Sequence, residues 1–282
     1  MSLTDPATLL SLIAALALAG AAIGFLAGLF GIGGGAISVP VFFEMFRVLG
    51  HAPDVAMPLA VGTSLAVIIP TSINSARGHY LRGTVDMGLL RTWALPVLAG
   101  VLLGSFIARH AQPWVFQSVF ILVAGVNAAK LLSGGKGWRL AETLPRKAVL
   151  RAYGAAIGLV SALMGIGGGA VSNLVMTLHN IPIHRAVSTS AGVGVLIAIP
   201  GTLGYMAAGW GRPDLPPDAL GFVSAATFAL TIPTALLTTR LGVRLAHRLS
   251  RRRLETGFGL FLLAVSLRFL WDLAGPVLAA SN

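Results

Sequence analysis

Two stretches of the chain offer backbone chemistry rather than side-chain chemistry. Gly31-Ile32-Gly33-Gly34-Gly35-Ala36-Ile37-Ser38 and Gly165-Ile166-Gly167-Gly168-Gly169-Ala170-Val171-Ser172 repeat one pattern 134 positions apart. Glycine accepts φ > 0 and lets a ligand or a second backbone come close, at a cost of about 0.5–1 kcal/mol within a helix. Each pattern leads into a short apolar run, near 36–49 and 170–180. As helices, those runs would begin with amides that lack an intrahelical acceptor and carry about half a positive charge. Such an end attracts an anion. The candidate donors are the amides of Gly33, Gly34, Gly35 and Ala36, and of Gly167, Gly168, Gly169 and Ala170. Gly31 and Gly165 open the two motifs, and Ser38, Ser172 and Asn173 lie in the first turns. The alternative is close helix crossing through small residues.

Hydroxyl clusters form a second candidate set. Thr63-Ser64 follows the first motif, and Ser188-Thr189-Ser190 follows the second. In apolar helices such groups either bond the carbonyl one turn back or line a polar cavity. Their occurrence in both halves favours the cavity, with Thr63, Ser64, Thr189 and Ser190 supporting an anion held by the amides. The intramembrane amides Asn74 and Asn173 carry the same two readings.

These groups need elements to hold them, and the composition says of what kind. The chain of 282 residues is 56% hydrophobic and 10% charged, against about a quarter charged in ordinary soluble domains. Apolar stretches of about 20 residues, enough for a ~30 Å hydrocarbon core, recur from end to end. Ten helical segments are expected near 7–30, 36–49, 57–76, 86–108, 113–133, 148–164, 170–180, 186–208, 219–240 and 253–273. The second and seventh are too short to span a bilayer alone. No cysteine is present, which excludes a thiol nucleophile or thiolate metal site.

The net charge of +11 does not indicate nucleic acid, because the basic residues alternate with apolar runs instead of forming one face. With ten crossings and the N-terminus outside, all Lys and Arg except Arg47, Arg109, Arg212 and Arg268 fall on the cytoplasmic side, as the positive-inside rule requires. Both termini are then expected in the periplasm of an inner-membrane protein. The first 46 residues carry no Lys or Arg, unlike a signal peptide with its basic start, so the first apolar run is expected to stay in place.

The halves align beyond the glycines. Ala56, Gly62 and Pro70 recur as Ala186, Gly192 and Pro200, Leu95-Pro96 as Ile232-Pro233, Gly104 as Gly242, and Phe120 as Phe258. Five segments per copy is an odd number, so the second copy enters from the opposite face. The expectation is an all-α membrane protein of about ten transmembrane helices, two of them short, in two inverted five-helix repeats. The first repeat covers 1–133, a cytoplasmic linker 134–147, and the second repeat 148–282. Paired breaks in such repeats point to a substrate site near the bilayer midplane.

The doubled Gly-Ile-Gly-Gly-Gly motif, Val39-Pro40, Gly62-Thr63-Ser64 and Ser188-Thr189-Ser190 resemble the sulfite exporter TauE/SafE family of membrane permeases. The resemblance runs from about Gly20 to Leu270. It implies movement of small anions, in particular sulfite, organosulfonates and related sulfur compounds, with carboxylates as another class. Asn173-Leu174 stands where Val39-Pro40 stands in the first copy, a departure from the pattern.

Ionisable groups within the apolar segments have two readings each. Glu44 is a proton-coupling group or a side chain snorkelling from a short helix. Arg77, His79, Asp86 and Arg91 form a vestibule or ordinary interfacial anchors. His179 and His184 lack a nearby carboxylate and make a poor metal site. No nucleophile elbow or zincin spacing is present, so the chain is not expected to be an enzyme, and no cofactor or metal is expected. The function expected is alternating access by relative movement of the repeats, with protons or sodium as coupling ions. An anion channel with a continuous pore is the alternative.

Overall fold

The computed structural model describes residues 6–30, 35–134, 138–246 and 248–280. Among these are ten helices: α1 (Pro6–Phe30), α2 (Gly35–Val48), α3 (Pro53–Leu81), α4 (Met87–His110), α5 (Pro113–Leu132), α6 (Lys147–Met164), α7 (Gly169–Leu178), α8 (Ile183–Ala208), α9 (Ala225–Ala246) and α10 (Arg251–Ala280). No strand is present among the described residues. Six of the helices, α3, α4, α5, α6, α8 and α10, contain stretches long and apolar enough to cross a membrane.

Local sequence sets the boundaries. Proline occupies the first turn of α3 and of α5, where its missing N–H costs nothing. Asp86 caps α4 by accepting from the Leu89 amide at 3.0 Å. Gly165, in the left-handed region at φ 63°, ends α6. Several boundaries differ from the sequence expectation: α3 starts at Pro53 and not near 57, α3, α9 and α10 run on past 76, 240 and 273, and α9 begins at Ala225, not near 219. Ala219-Leu220-Gly221-Phe222-Val223 is apolar enough to read as helix, but Gly221 is left-handed at φ 57°. Ser224 then caps α9 by accepting from the Thr227 amide. The loop folds back on α8, with the Phe222 amide donating to the Tyr205 carbonyl.

The helices pair across the two halves. α1 packs on α9 and α4 on α6, α3 crosses α8, α5 lies along α10, and the short helices α2 and α7 lean on α3 and α8. Exchanging α1–α5 with α6–α10 turns each of these pairings into another member of the set. The α1/α9 and α4/α6 seams close backbone against backbone. A Cβ on Gly24 would overlap the Ala235 carbonyl oxygen, and one on Gly158 the Val97 carbonyl oxygen. Gly242 and Gly100 do the same from the facing helices, against Phe25 and Ala155. α3 is the most deeply enclosed of the six long apolar helices, with 78% of its apolar window buried. Phe120 of α5 meets Phe269 of α10 edge to face at 5.1 Å, which joins the outer pair through an aromatic contact.

Candidate functional site

The two glycine motifs meet. Gly31, Gly33 and Gly34 lie outside the described residues, but Gly35 opens α2. The Cβ that Gly35 lacks would sit 2.7 Å from Ile166 Cα and 2.9 Å from the Gly165 carbonyl oxygen. No other residue could bring the start of α2 this close to the second motif. In that motif Gly165 and Gly168 are both left-handed, at φ 63° and 72°. The chain therefore reverses between α6 and α7 within four residues, Gly165 to Gly168, and α7 begins at Gly169 with its first amides free of intrahelical acceptors.

Hydroxyls bind this junction together. Ser64 of α3 donates to the Gly165 carbonyl at 2.7 Å, and Ser38 of α2 lies 2.6 Å from Ser64 Oγ. A carbonyl cannot donate, so the Ser64 proton is committed to Gly165 and Ser38 must donate to Ser64. The chain Ser38→Ser64→Gly165 thus ties α2, α3 and the second motif in one direction. All three groups are buried, and in this conformation neither hydroxyl proton is left over for a ligand.

The remaining expected residues divide. Ser172 is turned back, donating to the Gly168 carbonyl at 2.6 Å, and Ser190 donates to the Val187 carbonyl. Both take the local role that hydroxyls have in helices. Thr63 accepts from the Ser224 amide at 3.0 Å and Thr189 from the Asp86 amide at 3.0 Å. The hydroxyl clusters therefore do not line one cavity. Ser64 joins the second glycine motif, while Thr63 and Thr189 serve the starts of α9 and α4. Asn173 has a buried amide oxygen with no hydrogen-bond partner, one turn into α7. Ala170 is buried in the core at the same end.

Apolar side chains fill the space around the motifs. A Cβ on Gly167 would stand 2.6 Å from Ile68 Cγ2, and one on Gly168 would overlap Ile197 Cδ1. Sequence reasoning missed these plugs, because an isoleucine on an apolar helix carries no mark of what it faces. A cavity of about 180 Å³ does exist between α5, α6 and α7, but it is lined by apolar residues such as Val126, Ile157 and Val175. It offers no donor to an anion.

The ionisable groups are largely paired. Glu44 meets Arg268 of α10 at 2.8 Å, and Arg47 meets Asp272 at 3.5 Å. Asp86, besides capping α4, accepts from Arg185 at 2.9 Å. His79 Nδ1 lies 3.1 Å from Ser188 Oγ, which joins the end of α3 to the start of α8. Arg77 and Arg91 are in neither of these contacts. His179 is buried, its Nδ1 2.8 Å from the Val175 carbonyl, and His184 lies among residues whose side chains are not described. In the loop between α8 and α9, the Arg212 guanidinium hydrogen-bonded to Asp214 holds that carboxyl below its ordinary range.

The family model described as sulfite exporter TauE/SafE matches residues 16–269. A probable membrane transporter protein of Haemophilus influenzae is 33% identical over 252 residues, covering 89% of this chain and 95% of the relative. A probable membrane transporter protein of Methanocaldococcus jannaschii is 27% identical over 255 residues, covering 87% and 91%. In Bacillus subtilis, the probable membrane transporter protein YjnA is 25% identical over 248 residues, covering 82% and 91%. No solved structure matches significantly. With a helical bundle of this apolarity and a match over most of its length, the chain belongs to the sulfite exporter TauE/SafE family of membrane permeases.

Proposed function

We propose that the protein moves a small anion, a sulfite, organosulfonate or related sulfur compound, across the inner membrane by alternating access. The anion is held between the two glycine motifs, by the amides at Gly33–Ala36 and Gly167–Ala170. One observation carries this reading: Gly35, at the start of α2, abuts Gly165 and Ile166, in the turn that leads into the start of α7. The Ser38→Ser64→Gly165 chain supplies hydroxyl donors at the same place. Binding competes with that chain, because an anion takes the hydroxyl protons that Ser64 and Gly165 now accept. Ile68 and Ile197 must also withdraw, and a site that opens only by movement suits a carrier better than a continuous pore.

The exchange pattern of the helix pairs supports two repeats of inverted topology, 1–133 and 148–282 with the linker between them. Because the α1/α9 and α4/α6 seams run between the halves, the moving bodies are groups of helices sliding at the α3–α8 crossing, not the halves themselves. Protons or sodium couple the movement.

Proteoliposomes test the substrate. Sulfite, taurine and thiosulfate are set against acetate and succinate, and saturable flux with counterflow of a sulfur anion is the expected result. Flux of carboxylates alone transfers the reading to that class, and linear, non-saturating flux replaces the carrier with a channel. Topology is tested separately: a reporter active only in the periplasm should be active after Asn282 and silent at Gly135.

A further inference from the structure

The two threonines that left the glycine junction do the same thing at opposite ends of the α3–α8 crossing. Asp86 is the cap of α4, and its amide donates to Thr189 of α8. Ser224 is the cap of α9, and its amide donates to Thr63 of α3. In each case the capping residue of the fourth helix of one half is tied to the third helix of the other. Both threonines are fully buried, at 0% exposure; the Ser224 contact is buried throughout, and the Asp86 contact is partly buried.

The surroundings of the two contacts differ in kind. At Asp86 the closure carries charge: the Arg185–Asp86 pair lies beside it, and the His79–Ser188 contact joins α3 to α8. At Ser224 the closure adds a buried aromatic ring to its charged groups. Phe222 is buried under the Arg212 guanidinium at 5.4 Å, and the Asp218 carboxylate accepts from the Ser224 hydroxyl and the Ala226 amide. By the charge distribution, Asp86 lies at the cytoplasmic end and Ser224 at the other.

We propose that Thr189–Asp86 and Thr63–Ser224 are the closing contacts of two gates, one on each side of the glycine junction, and that Thr63 and Thr189 are positioning residues that hold them shut. Both contacts are made here. Alternating access requires that one contact break while the other stays made. The inference rests on the carrier reading above, but not on the identity of the anion.

A chain without cysteine allows a clean test. Ser72→Cys places a single thiol on α3 beside Gly194 of α8, whose missing Cβ would lie 3.3 Å from Ser72 Cβ. Its modification by a charged, membrane-impermeant thiol reagent is timed from each side, in right-side-out and inside-out vesicles. Thr189→Val in this background should speed labelling from the cytoplasmic side about fivefold, the population change that one buried hydrogen bond is worth. Thr63→Val should speed it from the other side by a similar factor. Thr63→Ser and Thr189→Ser keep the acceptor oxygen and should restore the parent rates, which separates gating from misfolding. Shifts towards the same side in both valine variants, or no change in either, overturn the proposal. If the opposite shifts occur but sulfite, taurine and thiosulfate neither move nor alter labelling, the gates stand and the substrate reading falls. If those anions move while labelling stays unchanged in both variants, the gates fall alone.

Discussion

The two short helices begin from the same glycine motif and end in different roles. Ser38 of α2 reaches across to Ser64 of α3, whereas Ser172 of α7 folds back on its own turn. The reason lies on the neighbouring helix. In the repeat register that pairs Gly62 with Gly192, Ser64 corresponds to Gly194, so α8 offers Ser172 no hydroxyl. α8 uses the absence of a side chain there: a Cβ on Gly194 would lie 3.0 Å from the Gly167 carbonyl oxygen. One half is thus joined by a hydrogen-bond chain and the other by close backbone packing. The far ends of the short helices kept a closer likeness. Arg268 of α10 reaches Glu44 of α2, and Lys130 of α5 reaches Thr177 of α7. Each is a basic side chain near a helix C-terminus, where the backbone dipole favours it. Duplicated backbones constrain geometry more tightly than they constrain the side chains used to hold it.

The sharpest way to break that comparison is at the backbone. Gly168→Val places a β-branched residue at φ 72° and against Ile197. The left-handed conformation alone costs about 1–2 kcal/mol. Anion flux in proteoliposomes should fall below detection while the protein still inserts in the membrane; parent-like flux would remove the motif from the mechanism.

The next largest effect separates the two serines. Ser64→Ala leaves the buried Gly165 carbonyl without its donor and Ser38 with only the Gly35 carbonyl at 3.4 Å, a loss of about 1–3 kcal/mol. Ser172→Ala removes only a local bond within a helix, and its effect should stay within about 0.5 kcal/mol. Unfolding of both variants in detergent gives the comparison directly, and equal losses would mean that the Ser38→Ser64→Gly165 chain contributes nothing particular.

The smallest expected effect concerns Glu44. Its pair with Arg268 is partly exposed, and such pairs are worth about 0–1 kcal/mol. Glu44→Gln should therefore change stability little and leave the pH dependence of transport as in the parent. Loss of that pH dependence would return Glu44 to the role of a proton-coupling group.

Much of the helix pattern was readable because prolines, glycines and apolar runs act locally. Pro113 and Asp86 mark helix starts by rules that need only a few neighbours, whereas α3 begins at Pro53, ahead of the expected 57. The start of α9 was misread for the complementary reason. Gly221 and Ser224 override an apolar run, and the run is buried against Tyr205 of another helix. At the candidate site, duplication made the glycine motifs visible, and their convergence followed from symmetry. The partners of the hydroxyls were not legible. Ser64 is 101 residues from Gly165, and Thr63 is 161 from Ser224. Composition places a hydroxyl in an apolar helix but says nothing of which backbone group it will meet.

The glycine seams also bear on how the protein is made. α1 leaves the ribosome well before α9, the helix its glycines fit. Until then Gly20 and Gly24 have lipid beside them where Thr231 and Ala235 will later stand. α6, by contrast, finds α4 already in the membrane. One seam can close during synthesis and the other must wait, so a chain stopped before α9 keeps the α4/α6 pair and leaves α1 without the surface its small residues were shaped to meet.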